Sequence, residues 1–491
     1  MSSPSPEPRQ DEQSGQNVQG AKNAPSAKQK SADSSGSLYE SKRKLYVRSV
    51  TGLFANWRWG LVWFTQIIYF GLPWLTWNDR QAVLLHLTER KFYIFGWVFW
   101  PQDVLFLALL LIISAYALFF FTAMAGRLWC GYACPQTVYT EIFMWIEEKF
   151  EGKHLQRQKL DKAPFSGNKL LRRGGKYLAW IAFSLWTGFT FVAYFSPLHE
   201  LLAALPSLSF GPWEGFWMLF YGGFTYLFAG VMREQVCKYM CPYARFQAVM
   251  FDPDTLVITY DEARGEPRGT RRKGVDPKTV SKGDCIDCGI CVQVCPTGID
   301  IRDGLQYECI GCAACIDACD DVMDKMNYPR GLIRYSTENA LKQGWGKKEI
   351  VGHVVRPRTL IYGLVFALMV FGFVFLLAGR EPLRMDVIRD RSSLGREIEG
   401  GLIENVYSLQ VMNMSERTRS FRIEVSGLPG IQITSTQQVE VAPASSESLT
   451  TQVVAPYGEG EPGANPISFR ITAEDDAALS LDEKATFLIP R

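Results

Sequence analysis

Five stretches of the chain stay apolar for close to the length that a helix needs to cross a bilayer, about 20 residues. They cover residues 59–77, 104–125, 177–196, 216–232 and 359–378, the fourth short and interrupted by glycine. Trp, Tyr, Lys and Arg flank them, as interfacial anchors do. One such run also suits a buried helix of a soluble protein; five in one chain predict a membrane bundle. The segment "FYIFGWVFWP" at 92–101 is too short to span and reads as interfacial.

Beyond the last run the period changes. Residues 395–491 alternate in short segments, "NVYSLQVMNM", "SFRIEVSG", "QITSTQQVEVAP", "SLTTQVVAP" and "PISFRITAE", separated by Gly, Pro, Ser and Asn. Period-two patterning with turns at these intervals predicts a small β-sandwich. It contains no cysteine, so it folds without disulfides. Met412 and Met414, two apart on one strand, have the spacing of a thioether copper contact, but core packing is the simpler reading. At the other end, "MSSPSPEPRQDEQSGQNVQGAKNAPSAKQKSADSSGS" is too polar to bury a core and is expected to be disordered. It lacks the apolar run of a cleavable signal peptide.

Charge orients the bundle. Lys and Arg number ten between residues 126 and 176, none between 197 and 215, and three between 78 and 102, while "SKRKLYVR" precedes the first run. The positive-inside rule then places the amino terminus in the cytoplasm and, after an odd number of spans, the carboxy terminus on the other side. The connection between runs four and five falls in the cytoplasm. A net charge of +2 gives nucleic-acid binding no electrostatic support.

That connection carries eight of the twelve cysteines, in "CIDCGICVQVCPTGIDIRDGLQYECIGCAACIDACD". Cys285, Cys288, Cys291 and Cys295 follow C-x2-C-x2-C-x3-C with Pro296 next; Cys309, Cys312, Cys315 and Cys319 repeat the run with Asp320 in place of the proline. Structural zinc usually separates two cysteine pairs by a dozen or more residues, which these runs do not. The spacing resembles a bacterial-type ferredoxin with two [4Fe–4S] clusters, in which the fourth cysteine of each run serves the other cluster. The resemblance implies crossed ligand sets: Cys285, Cys288, Cys291 and Cys319 for one, Cys309, Cys312, Cys315 and Cys295 for the other. A reducing compartment suits them, in agreement with the charge-based topology.

The other four cysteines form a duplicated motif. "RLWCGYACPQ" follows the second run and "REQVCKYMCPY" the fourth, giving Cys130/Cys134/Pro135 and Cys237/Cys241/Pro242, displaced by 107 residues. Residues four apart share a helix face, and proline disfavours helical geometry in the residue before it. Each spanning helix is therefore expected to end at this motif, with Arg127 and Arg233 beside the sulfurs. Packing alone requires neither spacing nor proline. Three uses stay open: soft ligands for copper(I), a disulfide-cycling dithiol pair, or ligands of a third cluster. His86, His154, His199 and His353 lie outside the middle of the runs, so a bis-histidine haem in the bundle is not expected.

Together these features resemble the FixG/RdxA/CcoG family of cytochrome c oxidase accessory proteins, over nearly the whole chain after about residue 39. The resemblance implies a multi-domain membrane protein: an α-helical bundle of five transmembrane helices, a cytoplasmic α+β dicluster ferredoxin insertion and a C-terminal immunoglobulin-like β-sandwich. The domains expected are a disordered cytoplasmic tail at 1–45, a four-span bundle at 46–246, the ferredoxin domain at 247–350, a fifth helix at 351–380 and a periplasmic sandwich at 381–491. The family implies a bacterial inner-membrane protein that reduces Cu(II) to Cu(I) for assembly of a cbb3-type oxidase. Cys130, Cys134, Cys237 and Cys241 would handle copper, and the eight ferredoxin cysteines would relay electrons. Partners implied are a cytoplasmic electron donor, copper chaperones or oxidase assembly factors, and membrane lipid. Two rival readings are a quinol-ferredoxin relay to a periplasmic acceptor and a non-catalytic assembly scaffold or redox sensor.

Overall fold

The computed structural model describes residues 45–491, apart from residues 79, 274, 276–278, 280, 391–394, 399, 477 and 491. The expectation for the amino-terminal tail lies outside the described residues. Helices α1 (Leu53–Gly71), α2 (Val104–Ala125), α3 (Leu128–Tyr132), α4 (Pro135–Glu151), α5 (His154–Lys162), α6 (Gly167–Val192), α7 (Leu198–Ala204), α8 (Pro212–Thr225) and α9 (Pro242–Met250) precede the cysteine-rich region. Within and after it come α10 (Glu262–Gly265), α11 (Ile290–Gln293), α12 (Ala314–Met326), α13 (Glu338–Gln343), α14 (Lys347–Val354) and α15 (Pro357–Ala378).

Among the described residues three helices are long and apolar enough to cross a membrane: Pro101–Ala125, Pro212–Met232 and Pro357–Ala378. The second continues α8 through a π-wound turn, Tyr226–Met232. The first and third expected runs are helices too, α1 and α6. Asn56, Arg58 and Gln66 in α1, and Lys169, Arg172, Arg173 and Lys176 in the first turns of α6, make these two less apolar.

Ion pairs fix the two ends of the bundle. At the start of α2, buried Asp103 pairs with Arg380 at 2.5 Å and Arg384 at 3.3 Å, just past the end of α15. At the opposite end of the same helices, Arg356 and Arg358 meet Asp252 at 2.5 and 2.7 Å, and the Leu256 N–H donates to the Met124 carbonyl at 3.3 Å. The cysteine-rich domain and the carboxy-terminal sandwich therefore sit at opposite ends of α2, whose 22 residues give about 33 Å of rise.

The sandwich pairs Gln432–Ile433, Ser445–Pro456, Leu402–Asn413 and Leu383–Arg389 in that order, with Arg396–Ile398 on the free part of Leu402–Asn413. The facing sheet runs Gln438–Val441, Arg419–Ser426, Gly463–Ala473, Ser480–Ile489. All pairings are antiparallel, and Tyr407, Phe421, Phe469 and Phe487 are fully buried between the sheets. The sandwich begins at Leu383, within a stretch that sequence pattern left outside the alternating segments.

The stretch expected to be interfacial is a pair of strands. The segment at 92–101 supplies strands Lys91–Ile94 and Trp97–Phe99, which join Val83–His86 in a three-stranded sheet. Its Leu84, Tyr93, Val98 and Trp100 pack against Met412, Met414 and Ala444 of the sandwich. The two methionines are thus core residues, and the aromatic-rich segment turns one face to the sandwich while Ile94, Phe95 and Trp97 stay exposed beside the start of α2.

A side chain from far along the chain caps α1. The Asp317 carboxylate accepts the Phe54 and Ala55 N–H groups at 3.2 and 2.7 Å, and the nearest Asp317 atom would stand 2.3 Å from a Cβ on Gly52. Asp317 lies in α12 between two cysteines of the second run, so the first helix is fastened directly to the cysteine-rich domain. Replacing Asp317 with alanine is expected to cost about 1–2 kcal/mol and to fray the start of α1, read as new protease cleavage near residue 52 with iron content unchanged.

Candidate functional site

The two cysteine runs fold alike, displaced by 24 residues from Cys285 to Cys309. Asp287 and Gly289 take φ of +55° and +64° around Cys288, and Gly311 and Ala313 take +70° and +59° around Cys312. This winding turns three thiols inward. Cys285, Cys288, Cys291 and Cys319 line one cavity with Tyr260, Ile286 and Ile333. Cys295, Cys309, Cys312 and Cys315 line a second, which Cys291 also borders. The first run closes with α11 and Pro296, whereas α12 continues through Asp320, whose carboxylate accepts the Gly331 N–H at 2.9 Å. A proline at 320 would break that helix, which explains the departure from the repeated pattern.

The donor set tests what these cavities hold. Burial pushes the thiols of Cys309 and Cys319 up to about 12 and that of Cys291 to about 11, and lifts Cys315 well above the ordinary thiol value. Such groups stay protonated at neutral pH unless a cationic centre replaces the proton. All twelve cysteines are free of disulfides. Among the described residues no three His, Cys, Asp or Glu side chains stand close enough to hold a single ion. Four soft sulfurs spread around an apolar cavity fit a cluster better than a lone metal.

The duplicated motif lies in a break between helices, correcting the expectation that each spanning helix ends on the cysteines. The α2 helix stops at Ala125 because Gly126 takes φ +56°, and Cys130 sits in the separate helix α3. The equivalent residue 107 positions on, Arg233, takes φ +45°, and Cys237 lies in a short π-wound turn, Val236–Met240. Cys134 and Cys241 are extended residues that precede Pro135 and Pro242, the first residues of α4 and α9. Proline therefore starts a helix at each motif as well as preventing the previous one from continuing. The Gln136 side chain, following the first motif, donates to the Phe228 and Arg233 carbonyls at 3.0 and 3.1 Å, satisfying backbone freed by the second break.

The two repeats converge, and they do so on the second cavity. Cys130 and Cys237 pack with Cys315 against an apolar core that contains Cys312 and Ile310. A Cβ on Gly131 would lie 2.8 Å from the backbone of Gly311 and Cys312, so the first motif and the cysteine loop touch at their main chains. Tyr335 donates its hydroxyl to the Gly311 carbonyl at 2.7 Å, with the Tyr132 hydroxyl 3.4 Å away. The Cys130 thiol donates to Gln247 Oε1 at 3.4 Å. Burial, reinforced by Cys134, pushes Cys130 and Cys237 up to about 12, with Arg127 opposing; burial also raises Cys134.

A buried charge cluster holds this geometry. Glu147, 3% exposed on α4, meets Arg233 at 2.9 Å, Arg157 at 3.0 Å and Lys176 at 3.8 Å, and Lys176 also reaches Glu151 at 2.6 Å. Burial pushes the Glu147 carboxyl up, and Arg233, Arg157 and Lys176 more than reverse this, leaving it below the usual range. None of the histidines enters the site. His86 accepts the Glu89 N–H at 3.1 Å, His353 stacks on Trp345, His154 lies beside Gln158 and His199 is exposed beside Glu200.

Comparison with known proteins matches three parts of the chain. A 4Fe-4S dicluster domain matches residues 232–338, a 4Fe-4S binding domain matches 107–153, and the IG-like fold at the C-terminus of FixG matches 373–490. The chain is 37% identical to nitrogen fixation protein FixG of Rhizobium meliloti over 499 residues, covering 93% of this chain and 94% of that one. It belongs to the FixG/RdxA family. Proteins RdxB and RdxA of Cereibacter sphaeroides are 38% and 37% identical, over 90% and 91% of this chain and 95% of each of theirs. With its apolar helices, the chain is an integral membrane protein that carries iron–sulfur domains. The match at 107–153 contains only Cys130 and Cys134 as cysteines.

Sequence reasoning named all twelve cysteines as candidate ligands. It missed Gln247, Tyr335, Asp317 and Glu147, which meet the site only through folding. Gly126 and Arg233 were open to discovery, because the 107-residue repeat aligns them.

Proposed function

We propose that this protein transfers single electrons from two [4Fe–4S] clusters to Cu(II) held at the CxxxCP cysteines, supplying Cu(I) for assembly of a cbb3-type cytochrome c oxidase. The supporting observation is the packing of Cys130 and Cys237 on the Cys312 loop, with main-chain contact at Gly131. Cys285, Cys288, Cys291 and Cys319 hold one cluster; Cys309, Cys312, Cys315 and Cys295 hold the other, which lies nearer the CxxxCP motifs. When bound, the clusters supply one-electron redox chemistry. The chain does the rest: Gln247 orients the Cys130 thiol, Arg127 lies beside the sulfurs, and the apolar packing excludes water. Thiolates favour cuprous over cupric copper, so Cys130, Cys134, Cys237 and Cys241, serving two at a time because no three stand close enough to share one ion, draw the reduction forward and retain the product until a chaperone or assembly factor exchanges ligands.

In this reading all five long helices cross the inner membrane, with the ferredoxin domain cytoplasmic and the sandwich periplasmic. Their opposite positions along α2 and α15 support it. The test is anaerobic purification and cuprous-chelator assay of wild type and a Cys130→Ser/Cys237→Ser variant. Cuprous yield is expected to fall to background while iron and the low-temperature EPR signals are retained. Loss of iron and a cluster signal would instead favour a second reading, in which the four CxxxCP sulfurs hold a third cluster. That reading is supported by the 4Fe-4S match over the first motif and by the convergence of the two pairs.

A further inference from the structure

A cavity of about 940 Å³ opens among α1, α4 and α6 at the edge of the ferredoxin domain. Its size falls within the range of pockets that enclose organic cofactors and ligands, about 300–1,000 Å³. Trp59, Trp63, Trp145 and Trp186 give it aromatic walls, three of them with exposed faces on the outside of the bundle. Val294, Pro296 and Ala314 form the opposite side, next in sequence to Cys295 and Cys315. Anything bound there lies against the second cluster's cysteine cage.

Two polar atoms in this wall have no partner. Arg58 is 7% exposed, and its Nε–H donates to nothing; its guanidinium stands 4.0 Å from Glu141. Gln66 Oε1, two turns further along α1, is buried and accepts from nothing, while the other end of the same amide lies against the Tyr139 hydroxyl. A buried donor and a buried acceptor left unmatched both carry a cost that a ligand with complementary groups removes. Arg58 also borders the smaller cavity that contains Cys237 and Cys312, so one residue touches the pocket, the cluster cage and a CxxxCP cysteine.

We propose that this pocket binds a membrane quinol and that the quinol, in place of the cytoplasmic donor implied by the family resemblance, supplies the electrons for the copper-reducing relay. An aromatic ring with oxygens at both ends fits the walls and both unmatched groups: Gln66 Oε1 accepts from a quinol hydroxyl, and Arg58 donates to a ring oxygen. Oxidation of QH2 to Q breaks two O–H bonds and releases two electrons and two protons. One electron goes to each [4Fe–4S] cluster in its oxidised state, and the two protons leave one after the other through Glu141, a partly exposed carboxylate on the pocket wall, to solvent. The donor role rests on the relay reading above; the pocket does not.

The test uses the cluster-loaded protein in detergent, under argon. Titration with a short-chain ubiquinone and a short-chain menaquinone is expected to quench tryptophan fluorescence saturably with at least one of them. Arg58→Leu and Gln66→Leu should each weaken that binding about tenfold while iron content is retained. The corresponding quinol should bleach cluster absorbance in wild type and fail to do so at the same concentration in both variants. No saturable quenching, quenching indifferent to both substitutions, or a co-purified phospholipid that neither quinone displaces would overturn the pocket. Binding without bleaching would overturn the donor role alone. Clusters that bleach with quinol and do not recover colour on adding Cu(II) would count against copper as acceptor and leave this inference standing.

Discussion

Replacing Glu147 with leucine is expected to destabilise the protein by about 3–5 kcal/mol, among the largest effects available to a single substitution outside the cysteines. The reason is the number of cations left behind. Arg233, Arg157 and Lys176 converge on this carboxylate from the second repeat, α5 and α6, and both Arg157 and Lys176 are buried. Without it Lys176 keeps Glu151, and the two arginines lose their shared counterion. Glu147→Gln preserves the shape and loses the charge, so it should fall nearly as far. Thermal unfolding in detergent reads the loss. Cuprous yield should fall with it, because Arg233 holds the backbone turn that presents Cys237. Folding depresses this carboxyl, so its stabilising contribution is present above the ordinary glutamate value and fades as pH drops through the lower folded one.

Cys315→Ser is expected to remove the cluster proposed for the second cavity, lowering iron and acid-labile sulfide by about half. A serine oxygen is a harder donor than a thiolate and a poor substitute at an iron–sulfur centre. The damage should travel. Cys315 begins α12, and Asp317 two residues on caps α1, so loss of the cluster should also bring the protease sensitivity predicted for Asp317→Ala. The pair of variants separates the two effects: one loses iron and the cap, the other the cap alone. Equal iron in wild type and Cys315→Ser would remove Cys315 from the ligand set.

Local spacing was legible in the sequence wherever the chemistry is local. Both cysteine runs and the alternating strands from 402 to 473 stand where pattern placed them, since each depends on neighbours a few residues away. The helix breaks at Gly126 and Arg233 were not read, because proline drew attention to the second cysteine while the chain turns about one helical turn before the first. An arginine with positive φ carries no sequence signal of its own; Glu147, 86 residues away, helps hold it. The sheet built from 83–99 escaped because its aromatic residues suit lipid and protein equally well, and the residues it packs on, Met412, Met414 and Ala444, lie far along the chain. Arg58, just before the first apolar run, and Gln66, within it, carry no local signal of a pocket, which exists only where α4, α6 and the cysteine loops close around them.

The carboxylate cap on α1 has a consequence for biogenesis. Asp317 follows Ala55 by 262 residues, so the leading helix leaves the ribosome long before its own terminus can be completed. Until the cysteine region has emerged and folded, the first turn of that helix must make do with water or lipid headgroups. Docking of the finished domain is therefore a late event in maturation, and a cell short of iron should accumulate chains whose earliest-made segment is still unlatched.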